Sequence, residues 1–522
     1  MVNTVYNLLK YRADAHPERI AIWFEGKEIS YSQLFQYVEK AKNYLNEKAN
    51  RNERIAILDY NSLESLYIFL GARRAEKLPS ILNYRLTETE ILEILKKYKI
   101  KFLFCGEDFL YKSLIEDKDI QIVLLNDIIF ESIESKITQV DSSNDYKKSF
   151  HEEDEIDNYF ASIDGLQLRF VELFTSGTTG LPKSVQLTDE NILECVQNLE
   201  KELPGFGSDS KNLVCAPFYH IGGVGYFLLG IYVGCTNILF RKFQPLEIAN
   251  AIQNQKITNA LLVPAMIQSI LGLSNISEFD FSSLRNIQYG GSPMQESILR
   301  KAKEVFHCYF TCAYGLTEAS GISTLLRFDK IEECLQNPKK SYLLQSVGKP
   351  ISGTNIIIIN SEKEAKTNEL GEICIQSKQV FRGYENTPDR NNFAGNHFKT
   401  GDIGFIDEDG YLFLVDRKND MILSKSENIY PSEVERFYQV HPSIKEIAIV
   451  GLENLEFGEI VTAFVVLKEG MSLDLISIKN FAEGKLAGYK VPRKLFILDS
   501  IPKNPTGKVL RSNLKEAYNK IK

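Results

Sequence analysis

Ten consecutive residues, Phe174-Thr175-Ser176-Gly177-Thr178-Thr179-Gly180-Leu181-Pro182-Lys183, carry the densest chemical signal in the chain. The hydroxyls of Thr175, Ser176, Thr178 and Thr179 are hydrogen-bond donors. Gly177 and Gly180 reach backbone conformations closed to other residues, so successive N–H groups can turn toward one point and form a nest for an anion. Lys183 adds a full positive charge at the exit. This combination suits a polyphosphate. The competing reading is a polar hairpin turn, where Ser, Thr and Gly are common. A Walker-type loop would need Gly-Lys-Ser/Thr opening a helix. Here Pro182 precedes Lys183, and the flanks Arg169–Phe174 and Ser184–Thr188 have the composition of strands. A loop between two strands grips phosphate without a helix dipole.

Further clusters could serve the same ligand. Tyr289-Gly290-Gly291-Ser292-Pro293 ends a strand and precedes the helical pattern Gln295–Phe306. In Tyr314-Gly315-Leu316-Thr317-Glu318 the ring can stack on a base and the glycine permits close approach. Thr317 can meet a phosphate, and Glu318 can hold Mg²⁺, which takes few protein carboxylates. In Lys399-Thr400-Gly401-Asp402 the carboxylate suits a ribose diol, although the stretch also reads as an ordinary turn. Asp416-Arg417-Lys418-Asn419-Asp420 is a charged break between the strand Tyr411–Val415 and the strand-like Met421–Leu423, as at a domain boundary. His220 stands where Ala216–Tyr219 gives way to a glycine-rich helix start; a lone histidine there is either structural or in touch with substrate. Pro502-Lys503-Asn504-Pro505-Thr506-Gly507-Lys508 is a turn-rich loop whose framing presents Lys508, against the plainer reading of a solvated C-terminal lysine.

The elements that must position these clusters follow from periodicity. Helical patterns at Ser30–Lys48, Ser62–Ala72 and Thr87–Tyr98 alternate with strand patterns at Arg54–Leu58, Lys101–Phe104 and Ile120–Leu125. Such alternation predicts a parallel sheet covered by helices. Another helix is expected over Asn191–Leu203. Asp141–Asn158 is acidic and reads as a solvated connector. The last hundred residues predict a small α+β unit. A capping box at Ser432-Glu433-Val434-Glu435 opens a helix that stops near His441-Pro442. Strands follow at Glu446–Val450 and Val461–Leu467, a helix at Leu475–Leu486 and a strand at Lys494–Leu498.

Size and charge exclude some classes. A chain of 522 residues exceeds one ordinary core. A net charge of −8 argues against a nucleic-acid partner. Eight cysteines without a CxxC pair argue against a zinc site or a disulfide framework and for a reducing cytoplasm. Ile221–Phe240 lacks charge over a membrane-spanning length, yet it contains five glycines with Thr236 and Asn237, so a buried helix and strand beside a pocket is expected instead of a transmembrane segment. No signal peptide is visible in Met1–Ala15.

Taken in order, these clusters resemble the adenylate-forming superfamily, which includes acyl-CoA synthetases. The resemblance runs from about Ser30 to Arg511. It covers Thr175–Lys183, Pro217–His220, Gly290–Pro293, Tyr314–Glu318, Thr400–Asp402, Arg417 and Pro505–Lys508, with Gly371-Glu372-Ile373 and Gly383-Tyr384 fitting the same pattern. It implies an α/β fold: a large N-terminal domain (1–415) of layered parallel sheets with helices plus a small distorted β-barrel, a hinge (416–420), and a small mobile α+β lid (421–522) carrying a catalytic lysine. It also implies activation of a small-molecule carboxylic acid by ATP and Mg²⁺, giving acyl-AMP and pyrophosphate, followed by attack of a thiol.

By the same resemblance, the loop comprising Thr175, Ser176, Gly177, Thr178, Thr179, Gly180 and Lys183 holds the β- and γ-phosphates. Gly291, Ser292, Pro293, Tyr314 and Gly315 bracket adenine. Asp402 and Arg417 fix the ribose, Thr317 meets phosphate, and Glu318 holds Mg²⁺. Lys508 bridges the carboxylate and the α-phosphate, and His220 lies between the acyl pocket and the phosphate site. Phe218-Tyr219-His220 offers no carboxylate for an α-amino group, so an acid other than an amino acid is expected. The apolar, glycine-rich Ile221–Gly234 suits an aliphatic or aromatic acyl group.

Three positions depart from the family pattern: Ser184 after Lys183, Asn419 at the hinge, and Lys425-Ser426-Glu427-Asn428 where relatives read Gly-Gly-Glu-Asn. Ser426 bears on passage of a pantetheine arm. The acceptor is therefore read first as CoA and second as the phosphopantetheine of an acyl carrier protein. A non-catalytic acyl- or nucleotide-binding relative is the third reading, and Lys508, Glu318 and Asp402 count against it.

Overall fold

The computed structural model describes the chain except residues 1–3, 129, 131–168, 176–181, 204, 386–391, 419, 425–426, 455, 504–508 and 522. The acidic connector, most of the glycine-rich loop, Asn419, Ser426 and Lys508 therefore lie outside the described residues. Two helix-covered sheets dominate. In the six-stranded sheet, Gln121–Leu124, Phe102–Cys105, Arg54–Leu58, Leu78–Ile81 and Arg169–Thr175 run parallel in that order, and Lys183–Thr188 closes the edge antiparallel. The nine-stranded sheet has a parallel centre, including Lys211–Val214, Asn259–Leu261, Asn286–Gly290 and Tyr309–Leu316.

Both sheets are buried on two faces, so their strands are apolar on successive residues. Ile57, Leu173, Val214 and Leu239 point into one core shared by the two sheets. Their neighbours Leu58 and Leu213 point into separate outer cores. The shared core also takes the helices Tyr31–Lys48, Leu63–Arg74, Asp189–Glu200 and Ile221–Val233. Three of these four start on reciprocal caps, such as Ser30 with Gln33 and Thr188 with Asn191.

A third sheet, of six antiparallel strands, stands where the small barrel is expected. The C-terminal unit is a five-stranded sheet flanked by helices. Ile221–Phe240 forms the helix Ile221–Val233 and the strand Thr236–Leu239, and among the described residues no helix is long and apolar enough to cross a membrane.

Two local expectations are corrected. Ser432 does not cap a helix. The helix Pro431–Tyr438 starts on Pro431, whose missing N–H suits the first turn. The Ser432 N–H and hydroxyl both donate to Asp416 Oδ2, at 2.7 and 2.9 Å. Thr400-Gly401-Asp402 is not a tight turn but part of the strand His397–Ile406, and Asp416 and Arg417 extend the strand Leu412–Arg417. Asp402 and Arg417 are direct cross-strand partners.

Candidate active site

The candidate residues sit at the ends of strands in two sheets and within a strand of the third. Thr175 closes its strand in the six-stranded sheet, Gly290 and Leu316 close theirs in the nine-stranded sheet, and Asp402 lies in the third. Ligands of open α/β sheets bind at such carboxyl ends. Two glycines show why the backbone is bare there. A Cβ on Gly290 would stand 2.3 Å from the Ala313 carbonyl oxygen, and one on Gly315 would stand 1.6 Å from that of Gly321.

Glu318, on the turn that follows the strand Tyr309–Leu316, joins Thr175 of the six-stranded sheet to Tyr384, which lies in the connection between two strands of the third sheet. It is buried, and its Oε1 accepts from the Tyr384 hydroxyl at 2.7 Å and from the Thr175 hydroxyl at 3.5 Å. Lys183 Nζ lies 4.6 Å from the centroid of the Tyr384 ring, a cation–π contact. The segment bearing Tyr384 is pinned in place. The Phe381 N–H donates to the Glu318 carbonyl at 2.7 Å, and Gln379 Nε2 donates to the carbonyls of Ala319 and Ile322 at 3.0 and 2.7 Å. Among the described residues, the side-chain hydrogen bonds that Glu318 accepts from Thr175 and Tyr384 are both to Oε1. A single carboxylate suits Mg²⁺, which keeps most of its waters and takes phosphate oxygens. Burial, reinforced by Glu318, holds the Tyr384 phenol far above the ordinary tyrosine range, so Tyr384 is a donor.

A second group lies four residues back along the chain. The Tyr314 hydroxyl donates to Asp402 Oδ2 at 2.8 Å, while Arg417 Nε stands 3.2 Å from Asp402 Oδ1. The Thr400 hydroxyl receives the Asp402 N–H at 3.1 Å and donates to the Ile373 carbonyl at 2.8 Å, which fixes the Asp402 backbone. Burial and then Asp402 raise the Tyr314 phenol well above its usual range. Tyr314 is buried, with its hydroxyl committed to Asp402.

His220 belongs to neither group. It precedes the helix Ile221–Val233, its ring centroid is 4.4 Å from that of Tyr219, and its buried Nε2 has no hydrogen-bond partner among the described residues. Burial lowers its pKa from 6.5 to about 4, with Arg85 adding to the effect, so the imidazole is neutral at neutral pH. The unfolded chain protonates this residue below about 6.5, whereas the folded chain resists until about 4. Between those values the unfolded state binds more protons, so stability falls as the pH drops through that window. We expect His220→Gln to flatten this part of the stability curve, read by denaturant titration at several pH values. An unchanged slope would mean that other groups set it.

Of the residues singled out in the sequence, Thr175, Lys183 and Glu318 form one group, and Tyr314, Asp402 and Arg417 the other. Thr317 lies on the short 3₁₀ turn Thr317–Ala319 that carries Glu318. Ser292 and Pro293 follow the strand end at Gly290 and join neither group. Tyr384 gains a specific partner that its place in a Gly-Tyr pair did not disclose. Behind Lys183, Ser184, Glu172 and Arg54 form a buried polar cluster that an apolar strand pattern hides.

Two helix-covered sheets that share a core, a third antiparallel sheet beside the buried Glu318, and a small C-terminal α+β unit make up the architecture that carries these residues. The chain belongs to the AMP-binding enzyme family: residues 9–385 match the AMP-binding enzyme model and residues 433–508 the AMP-binding enzyme C-terminal domain. Among similar proteins, a fatty acid–[acyl-carrier-protein] ligase, ScoC, from Streptomyces coeruleorubidus is 29% identical over 99% of this chain and 97% of its own. A 2-succinylbenzoate–CoA ligase from Bacillus subtilis is 30% identical over 98% of each. A solved o-succinylbenzoate CoA synthetase from Bacillus subtilis, in complex with ATP and magnesium ion, matches with TM-score 0.82 at 27% identity, covering 97% of this chain and 99% of that one.

Proposed function

We propose that the protein activates a carboxylic acid other than an amino acid with ATP and Mg²⁺, then passes the acyl group to the thiol of CoA. The observation that carries this reading is the arrangement around Glu318: the buried carboxylate accepts from Thr175 and from Tyr384, and the Tyr384 ring holds Lys183.

The substrate carboxylate is ionised near neutral pH and needs no general base. Its oxygen attacks the α-phosphorus. A new O–P bond forms, the bond to the bridging oxygen breaks, and pyrophosphate leaves. The task of the chain is to bring two anions together and to stabilise the charge that develops. Thr175, Lys183 and the intervening loop hold the β- and γ-phosphates. Glu318 holds Mg²⁺, which screens phosphate charge when bound. Asp402 takes the ribose hydroxyls, and Arg417 fixes the orientation of that carboxylate. Gly291, Ser292, Pro293, Tyr314 and Gly315 form the adenine surround, in which Tyr314 both closes the wall and holds Asp402. Thr317 contacts the phosphate and His220 the acyl carboxylate. Lys508 arrives from the C-terminal unit and bridges the carboxylate and the α-phosphate.

Residues 1–415, 416–420 and 421–522 act as body, hinge and lid. Asp416, bonded to Ser432, ties the hinge to the first lid helix. After adenylation the lid moves so that a thiol sulfur can attack the acyl carbon and expel AMP. The need for ATP and CoA supports a cytoplasmic location.

A second reading has its own support. The ScoC relative is a fatty acid–[acyl-carrier-protein] ligase, and Ser426 occupies a position where relatives carry glycine. The test is pyrophosphate release across a panel of aliphatic and aromatic acids, with CoA, with a phosphopantetheinylated carrier protein, and with neither. We expect acid-dependent release in every arm and thioester only with CoA. Thioester only with the carrier favours the second reading. Absence of release with any acid overturns both.

A further inference from the structure

The buried cluster around Glu172 has no part in the scheme above, although it bonds to residues that adjoin Lys183 and Tyr384. Glu172 lies in the strand Arg169–Thr175, three residues before Thr175, and is 0% exposed. A carboxylate is costly to bury unless every lone pair is used. Its Oε1 accepts from the Ser184 hydroxyl at 2.5 Å and from Gln186 Nε2 at 3.0 Å. Its Oε2 accepts from the Ser80 hydroxyl and stands 3.5 Å from Arg54 Nε. Ser184 is the residue directly after Lys183. Gln186 Nε2 also reaches Glu385 Oε2 at 3.2 Å, and Arg54 pairs with the same Glu385. Glu385 in turn follows Tyr384, which meets both Glu318 and Lys183. The Tyr98 hydroxyl adds a further tie, donating to the Pro182 carbonyl at 2.9 Å and receiving the Ser184 N–H at 3.1 Å.

We propose that Glu172 is a positioning residue for the ATP phosphates: its carboxylate, charge-matched by Arg54, locks the two strand ends that carry Thr175 and Lys183 to the segment that carries Tyr384. The inference rests on the ligase reading. An apolar residue at this site would pack on its neighbours without selecting one geometry. Hydrogen bonds to a single buried carboxylate select one, because each donor must point at a given oxygen. Ser184, a departure from the family pattern, is thereby explained: its hydroxyl transmits the position of Glu172 to the backbone beside Lys183. Because its bonds run to Ser184, beside Lys183, and through Gln186 and Arg54 to Glu385, beside Tyr384, Glu172 acts on phosphate binding and not on the acid.

The test is steady-state acid-dependent ATP–pyrophosphate exchange by the full chain, with KM measured separately for MgATP and for the best acid. In Glu172→Gln one oxygen becomes an NH₂ group facing donors, so the lock is broken with little change in volume. We expect KM for MgATP to rise about tenfold, the effect of losing one hydrogen bond to a charged group, with KM for the acid unchanged. Ser184→Ala, a milder change that settles the matter should Glu172→Gln not fold, is expected to raise KM for MgATP about threefold. The double variant should be no worse than Glu172→Gln alone, since both remove the same link. A role confined to stability would lower the melting temperature and leave the ratio of the two KM values at its wild-type figure in every variant, and that result overturns the proposal. Wild-type protein without exchange would instead overturn the ligase reading.

Discussion

Replacing Lys508 with alanine is expected to slow formation of the acyl-adenylate by about 10²–10³-fold, the range seen when one preorganised group is removed from a developing oxyanion. The loss should be confined to the first half-reaction. Lys508 is proposed to bridge two anions, the carboxylate and the α-phosphate, whose mutual repulsion is greatest as the new O–P bond forms. Once acyl-AMP exists that repulsion is gone, and thiol attack proceeds with the lid displaced. Single-turnover measurements separate the steps: pyrophosphate release from ATP and acid reports the first, and thioester formation from supplied acyl-AMP the second. Equal losses in both would refute this division of labour. Lys508→Arg keeps the charge but spreads it over a fork, and should recover only part of the rate.

The second large effect is expected at Glu318. Glu318→Gln keeps an oxygen to accept from Tyr384 and Thr175, so these contacts stay in place. What it removes is one negative charge. We expect kcat/KM for MgATP to fall by about 10²-fold, or ~2.7 kcal/mol of transition-state stabilisation, and the magnesium concentration needed for half-maximal activity to rise. The melting temperature without ligand should change little. If the magnesium dependence stays at its wild-type position, Glu318 does not hold the cation, and its role is reduced to anchoring Tyr384.

Features that depend on near neighbours were legible in the sequence. The strands around the glycine-rich loop, the helix–strand alternation of the first hundred residues, and the helix and strand within Ile221–Phe240 all follow from periodicity and composition. So does the small C-terminal unit. Features set by distant partners were not. Ser432 has the spacing of a cap, but its hydroxyl is taken by Asp416, and Pro431 begins the helix instead. Thr400-Gly401-Asp402 has turn composition, yet pairing with the strand Leu412–Arg417 draws it into a ten-residue strand. The partnership of Asp402 with Arg417 depends on that pairing, and motif order suggested only that both serve the ribose. Glu172 shows the limit most clearly. In sequence it is one acidic residue among apolar ones, and only the fold brings Ser80, Ser184, Gln186 and Arg54 to it.

The most direct measurement of the central claim is exchange of labelled pyrophosphate into ATP in the absence of any thiol acceptor. The account predicts that exchange requires both Mg²⁺ and a carboxylic acid, and that it is largely lost in Lys508→Ala and Glu318→Gln. Exchange that is independent of the acid, or none across a broad acid panel with properly folded protein, would contradict it.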